Sequence, residues 1–423
     1  MTLYYLFLFL VPFQEHHILG ANLIHLGSFQ VTPIKVLGAV LLAAAAILPR
    51  PKDAAARPSG SVFILFIAFI VFPTVGTLLD SHPFPGADAS ALIAFALLMA
   101  ATNELVSTPV RMRNAIRAIV LAETFGSTWL YRQYYIYHWW RPIGPSSDPN
   151  YEALALVLTV PLALWLAGHE KSRWWKRIGM VCVPVLAFGV FITQSRGGFL
   201  ALAVTGGLIW LNSKRKLRRA VQLAAAAALL LVLGPGNLIH RLEEIRFTGS
   251  VESGAQLSTR VRFELDRAAL HMVEAHPVFG IGLEQFKNQE IRYNPRLLIV
   301  DPVRHIAHDT YLELAAEGGL PTLALYMAII LMTLFTCRTI ERDREVPEAF
   351  AALACSVRIG LIGFLVAGIF LSAEYVKEPW VLVCLTPNLY QISRQMAAGA
   401  RRAGRSRSGS ARSAVLPPRY RMG

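Results

Sequence analysis

Three polar segments of this chain carry side chains able to grip an anion or move a proton, and apolar runs separate the first of them from the other two. The first is Thr193-Gln194-Ser195-Arg196-Gly197-Gly198, six residues joining two apolar runs, so the chain must form a hairpin there. Gly197 and Gly198 supply the turn. Arg196 has no structural need to be present. It reads either as a snorkelling anchor at an interface or, beside two glycines that permit close approach, as a planar fork of donors for a phosphate. The second segment is Gln256 to His276, where Leu257, Val261, Leu265, Ala268 and Met272 recur at helical spacing and predict an amphipathic helix. With Ser258 or Thr259 as its cap, Arg260 and Arg262 fall in the first turn, where free N–H groups favour an anion. The two point about 200° apart on a helix, so only one faces a given site. Arg262 borders the apolar face on the side of Ala269 and is the better placed; the bland alternative is a solvated or headgroup-bound arginine.

The third segment runs from His308 through Asp309, Glu313 and Glu317 to Gly318-Gly319 and leads into an apolar run. Asp309 is a plausible N-cap, and Glu313 and Glu317 follow it on one helical stripe, Glu317 about 12 Å further along. Carboxylates at such depth in an apolar segment are costly unless they face the protein interior or a wet cavity. His308 can take a proton from a hydroxyl near neutral pH, although a lone interfacial histidine is more often a hydrogen-bonding residue. A fourth, weaker segment, Gly144-Pro145-Ser146-Ser147-Asp148-Pro149-Asn150, reads as a turn and helix start.

The elements that must position these residues are apolar. Hydrophobic residues make up 54% of the 423, charged residues 16%, and the mean hydropathy is +0.46. Runs of roughly 15 to 25 residues are long enough to cross about 30 Å of hydrocarbon as helices. They lie at about 31–49, 61–79, 87–106, 114–130, 151–168, 178–194, 199–212, 220–234, 310–335, 349–371 and 380–393. With the N-terminal stretch Met1–Phe13, read as a retained span, they predict an all-α membrane protein of about twelve transmembrane helices. The four-part organisation is 1–234, N-terminal transmembrane helices; 235–309, one large periplasmic loop containing amphipathic helices; 310–393, C-terminal transmembrane helices; and 394–423, a basic, disordered cytoplasmic tail.

The net charge of +14 does not make this a nucleic-acid binder, because the basic residues sit in short loops and in the tail rather than on one patch. Arg50/Lys52/Arg57, Arg111/Arg113/Arg117, Lys171/Arg173/Lys176/Arg177, Lys214–Arg219 and Arg338/Arg342/Arg344 fall on one side if every run crosses once. The positive-inside rule makes that side cytoplasmic. Segments 14–34 and 80–86, on the other side, contain no Lys or Arg. All four polar segments then share the outer face. Cys182, Cys337, Cys355 and Cys384 have no metal-ligand spacing and read as inert thiols, so they suggest no metal site. The tail with Arg401, Arg402, Arg405, Arg407 and Arg412 suits anionic membrane lipids.

The ordered set Asp148-Pro149-Asn150, Ser195-Arg196-Gly197-Gly198, Arg262 to Phe286 with His276-Pro277-Val278-Phe279-Gly280-Ile281-Gly282, and His308 to Gly319 resembles the O-antigen ligase and polymerase superfamily of polytopic glycan transferases. The resemblance implies a glycosyltransferase of the bacterial inner membrane, active at its periplasmic face in lipopolysaccharide or polysaccharide biosynthesis. Its donor would be an undecaprenyl-pyrophosphate-linked glycan and its acceptor a hydroxyl of lipid A-core, another glycan or glycolipid, or a protein. By that resemblance Arg196 and Arg262 hold the leaving pyrophosphate, with Arg260 as substitute, and His308 is the general base or orients the acceptor. Glu317, Asp309, Asp148 and Asn150 support substrate binding. Two positions depart from the family pattern: Asp309 stands where Asn is frequent and Asp266 where Trp is frequent. Polysaccharide polymerisation is the alternative within enzymes. A transporter or flippase is the alternative from another class, but it would place ionisable residues near mid-membrane in repeated or broken helices.

Overall fold

The computed structural model describes residues 1–13, 24–26, 29–79, 86–233, 254–301 and 303–413. Every predicted apolar run is a helix: α1 (Thr2–Leu10), α2 (Pro33–Ile47), α3 (Ser61–Leu79), α4 (Gly86–Leu105), α5 (Pro109–Tyr135), α6 (Pro149–His169), α7 (Arg173–Ile192), α8 (Arg196–Leu211), α9 (Lys216–Leu233), α13 (Thr310–Arg342), α14 (Glu348–Ala367) and α15 (Lys377–Ser413). Between α9 and α13 lie α10 (Gly254–Ala275), α11 (Phe286–Tyr293) and the short α12 (Leu297–Val300). Two features depart from an all-α chain ending in an unstructured tail. An antiparallel pair, β1 (Ile24–Leu26) and β2 (Phe29–Val31), forms where only a connection was expected. Helix α15 also runs past residue 394 to Ser413.

Among the described residues, five helices are long and apolar enough to cross a membrane: Ser61–Leu79, Pro149–His169, Arg173–Ile192, Thr310–Arg342 and Glu348–Phe370. Four further apolar stretches, Thr2–Phe13, Pro33–Ile47, Ser90–Leu105 and Arg196–Leu211, are shorter. Helix α6 is central, apolar all round and buried on all sides, with Trp165 enclosed and its indole N–H donating to Ala349 O at 2.6 Å. By contrast α3 turns Ile64, Val71 and Val75 outward, and α7 does so with Met180 and Val181. Apolar faces exposed on an apolar helix bundle suit contact with lipid.

Ion pairs tie the basic loops together at one end of the bundle. Arg57 and Arg50 meet Glu104, Arg113 and Arg117 meet Glu170, Lys214 meets Glu348, and Arg358 meets Glu341. The polar helix starts gather at the opposite end. There Ser195 Oγ donates to Asn150 Oδ1 at 2.9 Å, Tyr151 OH donates to Ser372 O at 2.8 Å, and the His308 amide donates to Ser372 Oγ at 2.9 Å.

Candidate functional site

Each candidate side chain is held by a helix terminus or by a loop locked onto one. At the start of α8, Ser195 is the N-cap, its Oγ accepting from the Gly198 amide at 3.2 Å. The reversal from α7 is made by Gln194, with φ +52, and not by the two glycines. Gly197 and Gly198 instead lie in the first turn of α8, where a Cβ on Gly198 would stand 2.7 Å from that of Ala153. They allow α8 to approach α6, and Arg196 then projects from the first helical position. Asn150 Oδ1 binds Ser195 Oγ and also accepts from Arg141 Nη2 at 2.9 Å, joining the two helix starts. Asp148 caps α6, accepting from the amides of Asn150 and Tyr151.

Helix α10 buries Val261, Leu265, Ala268, Ala269 and Met272 against Ile281, Phe286, Leu297, Ala307 and Ala316. Its apolar face is the predicted one; the Leu257 side chain lies outside the described residues. Its start is not the predicted one. The helix begins at Gly254, since Ala255-Gln256-Leu257 contains nothing to stop it, so Ser258 and Thr259 are internal and neither arginine is in the first turn. Contrary to expectation, no helix terminus favours an anion at Arg260 or Arg262. What remains is placement: Arg260 is exposed, whereas Arg262 is half-buried.

The segment after α10 is clamped to α13. The Ile281 and Gly282 amides donate to the carbonyls of Ala316 and Glu317 at 2.9 and 3.0 Å, and the Leu320 amide donates to Pro277 O at 2.9 Å. Both Glu317 carboxylate oxygens are used by the same segment, accepting from the amides of Glu284 (3.1 Å) and Phe286 (2.8 Å). The Leu283 amide reaches across to Thr77 Oγ1 on α3 at 2.9 Å. Helix α13 is broken at Gly319, φ +77 and ψ 170, where the clamped segment crosses it. Glu317 thus holds the loop.

His308 has φ +57 and is followed by Asp309, which caps α13 through the amides of Tyr311 and Leu312. Ser372 links it inward, accepting from the His308 amide and donating its hydroxyl proton to the buried Glu313. The imidazole Nδ1 is buried and has no hydrogen-bond partner among the described residues. Burial, then the neighbouring Arg262 and His305, push the imidazole pKa down to about 4 against a weaker opposing effect of Asp148. Asp309 is not what sets that basicity; its carboxylate is spent on the cap.

Electrostatics bring the distant segments together. The guanidinium of Arg262 is depressed in pKa by burial and by the like charge of Arg196, while Asp266 and Asp148 act the other way. Asp266 is pushed up to about 6 by burial and by Asp309, with Arg262 opposing. So Arg196, Arg262, His308, Asp148, Asp309 and Asp266 share one neighbourhood. Among the described residues neither Arg196 nor Arg262 has an ion-pair or hydrogen-bond partner. Two such cations side by side repel and are incompletely hydrated, and a polyvalent anion between them would relieve both costs. A neutral imidazole beside that anion is able to accept a proton.

Sequence reasoning missed Ser372 and Arg141, and singled out Asp266 only as a departure from the family pattern. The signal for Ser372 was present in Ser372-Ala373-Glu374-Tyr375, a polar break between two apolar runs facing the same end as His308. Arg141 stands in an aromatic stretch that offered no pattern.

A family model described as O-antigen ligase matches residues 185–327, about a third of the chain. The matched stretch contains Arg196, Arg262, His308 and Glu317, but not Asp148 or Asn150. No curated protein matches the chain.

Proposed function

We propose, for a chain whose match over 185–327 supports assignment to the O-antigen ligase superfamily, that it transfers a glycan from undecaprenyl pyrophosphate to an acceptor hydroxyl at the periplasmic face of the bacterial inner membrane. The observation that supports this reading is the pair of guanidiniums, Arg196 and Arg262, without ion-pair or hydrogen-bond partners among the described residues and near the imidazole of His308, whose basicity is depressed. Their donors grip the pyrophosphate oxygens, and catalysis consists mainly in stabilising charge that grows on the leaving group. The acceptor oxygen attacks the anomeric carbon, the bond from that carbon to the phosphate oxygen breaks, and its electron pair leaves on the pyrophosphate. The acceptor's proton passes to His308.

The depressed basicity of His308 belongs to the site without donor. A bound pyrophosphate neutralises the field of Arg262, so the imidazole becomes more basic when a proton must be taken. Asp148, Asn150 and Asp309 position these groups through caps and hydrogen bonds, and Glu317 does so by clamping the loop. Arg260, exposed on α10, is a secondary contact for the donor. Grouping of these residues at one end of the bundle disfavours a transport path through its middle.

The test is to incubate the purified protein in lipid with an undecaprenyl-pyrophosphate-linked glycan and, separately, lipid A-core, a second lipid-linked unit or a protein acceptor. We expect glycosylated lipid A-core with release of undecaprenyl pyrophosphate. Product from the second unit alone would make the protein a polymerase, and product from none of the three ends the proposal.

A further inference from the structure

A cavity of about 520 Å³ lies between the Ser146–Asp148 turn, α5, α6, the first part of α13 and the loop before α15. It shares Asp148, Ser372 and Glu313 with the site just described and leaves out both of its arginines. Eight of its lining residues are Asp or Glu, against Lys287 and Lys377. Acidic residues alone would not make a site, but two of these carboxylates are unsatisfied. Glu123, 2% exposed, has no hydrogen-bond partner for its carboxylate among the described residues. Glu152, also 2% exposed, accepts from the Ser146 amide through Oε2 while Oε1 has no partner among them. The two are close enough to repel each other. Gly144 makes room for one of them: at φ +63, a Cβ there would stand 2.5 Å from the Glu152 carboxyl carbon.

Buried carboxylates without donors await a ligand that brings hydroxyl or ammonium protons. No group of carboxylates, His or Cys among the described residues has the arrangement to hold a metal ion. Phosphates and uronic acids are repelled by the lining, and the polar remainder, including Ser146, Ser372 and Tyr151, suits a polyhydroxylated ring. We infer that this cavity is the acceptor subsite and takes an uncharged sugar, whose hydroxyls donate to Glu123 and Glu152, while anionic acceptor sugars are turned away. The inference rests on the transferase reading and deepens it. The two compartments sort the substrates by charge: pyrophosphate lies against the arginines and a neutral sugar against the carboxylates. They meet where Ser372 touches both His308 and Glu313.

The test uses the acceptor that the wild-type protein glycosylates in the three-way assay above. Glu123→Gln with Glu152→Gln keeps the shape of both side chains and replaces one oxygen of each, able to accept from a sugar hydroxyl, by an amide nitrogen that cannot. The acceptor KM should rise roughly ten- to hundredfold, the loss expected when two buried hydrogen bonds are removed, with the donor KM unchanged. If the double variant fails to fold by size exclusion, Glu123→Gln alone serves, because its carboxylate holds no hydrogen-bond partner among the described residues. A further arm adds one phosphate to the acceptor's terminal sugar, which should lower its use by wild type and restore part of it in the variant. Wild-type transfer with an unchanged acceptor KM in the variant, or preference for the phosphorylated sugar, overturns the subsite and leaves the transferase reading standing. Absence of wild-type transfer instead removes the transferase reading itself.

Discussion

Replacing Gly319 with alanine should undock the segment that follows α10 and fixes Arg262 near His308, without melting the bundle. Gly319 has φ +77 and ψ 170, a region that costs a residue with a side chain about 1–3 kcal/mol. The added Cβ would stand 2.0 Å from Val278 O and 2.4 Å from Val278 C. Both are backbone atoms, so no rotamer change relieves the overlap, and forcing it adds about 1–3 kcal/mol. Moving the 277–279 backbone away breaks the Leu320 amide to Pro277 carbonyl bond, about 1 kcal/mol more. The sum, about 3–7 kcal/mol, acts on one segment whose clamp is the few bonds made by Ile281, Gly282, Glu284, Phe286 and Leu320. Limited proteolysis should therefore show new cleavage after Pro277, circular dichroism should show helix content retained, and transfer should fall by at least about a hundredfold. Wild-type protease resistance together with wild-type transfer would show that this clamp does not position the site.

Further outcomes follow from the same geometry. Because the folded His308 is held near pKa 4 against its ordinary 6.5, the unfolded chain binds the extra proton between those values. Its stability contribution is complete above about pH 6.5 and is lost as pH falls toward 4. Denaturation followed across that window, with His308→Gln as control, reads it. Arg262→Gln removes a positive neighbour and should move the His308 titration upward in NMR, whereas no movement would separate the two residues. Ser195→Ala deletes the α8 cap and the link to Asn150, which should cost about 1–2 kcal/mol of stability and raise the donor KM.

The helices were legible because they are apolar for most of their length, and each apolar run is a helix. The packed face of α10 was legible for a related reason, since Val261, Leu265, Ala268 and Met272 follow the helical period. The period also separated Arg262 from Arg260, one half-buried and one exposed. Helix limits were less legible: nothing local marks Gly254 rather than Ser258 as the start of α10, and basic residues did not stop α15. The break at Gly319 and the crossing of residues 277–286 could not be read, because main-chain bonds between distant segments leave no periodic trace. Gly280 and Gly319 are their only sequence mark, and glycines have many uses. The direction of the His308 shift was hidden too, since it depends on Arg262 being brought near, not on neighbouring Asp309.

In the proposed reaction everything depends on Arg196 and Arg262 holding one pyrophosphate between them. Binding of undecaprenyl pyrophosphate to the purified protein in lipid nanodiscs, compared between wild type and the Arg196→Gln/Arg262→Gln double variant, measures this without any acceptor. Saturable binding weakened at least about a hundredfold in the double variant is the expected result, because two guanidiniums that make charge-assisted hydrogen bonds to the anion are gone. Equal affinity in the two proteins would mean that these arginines do not hold the donor.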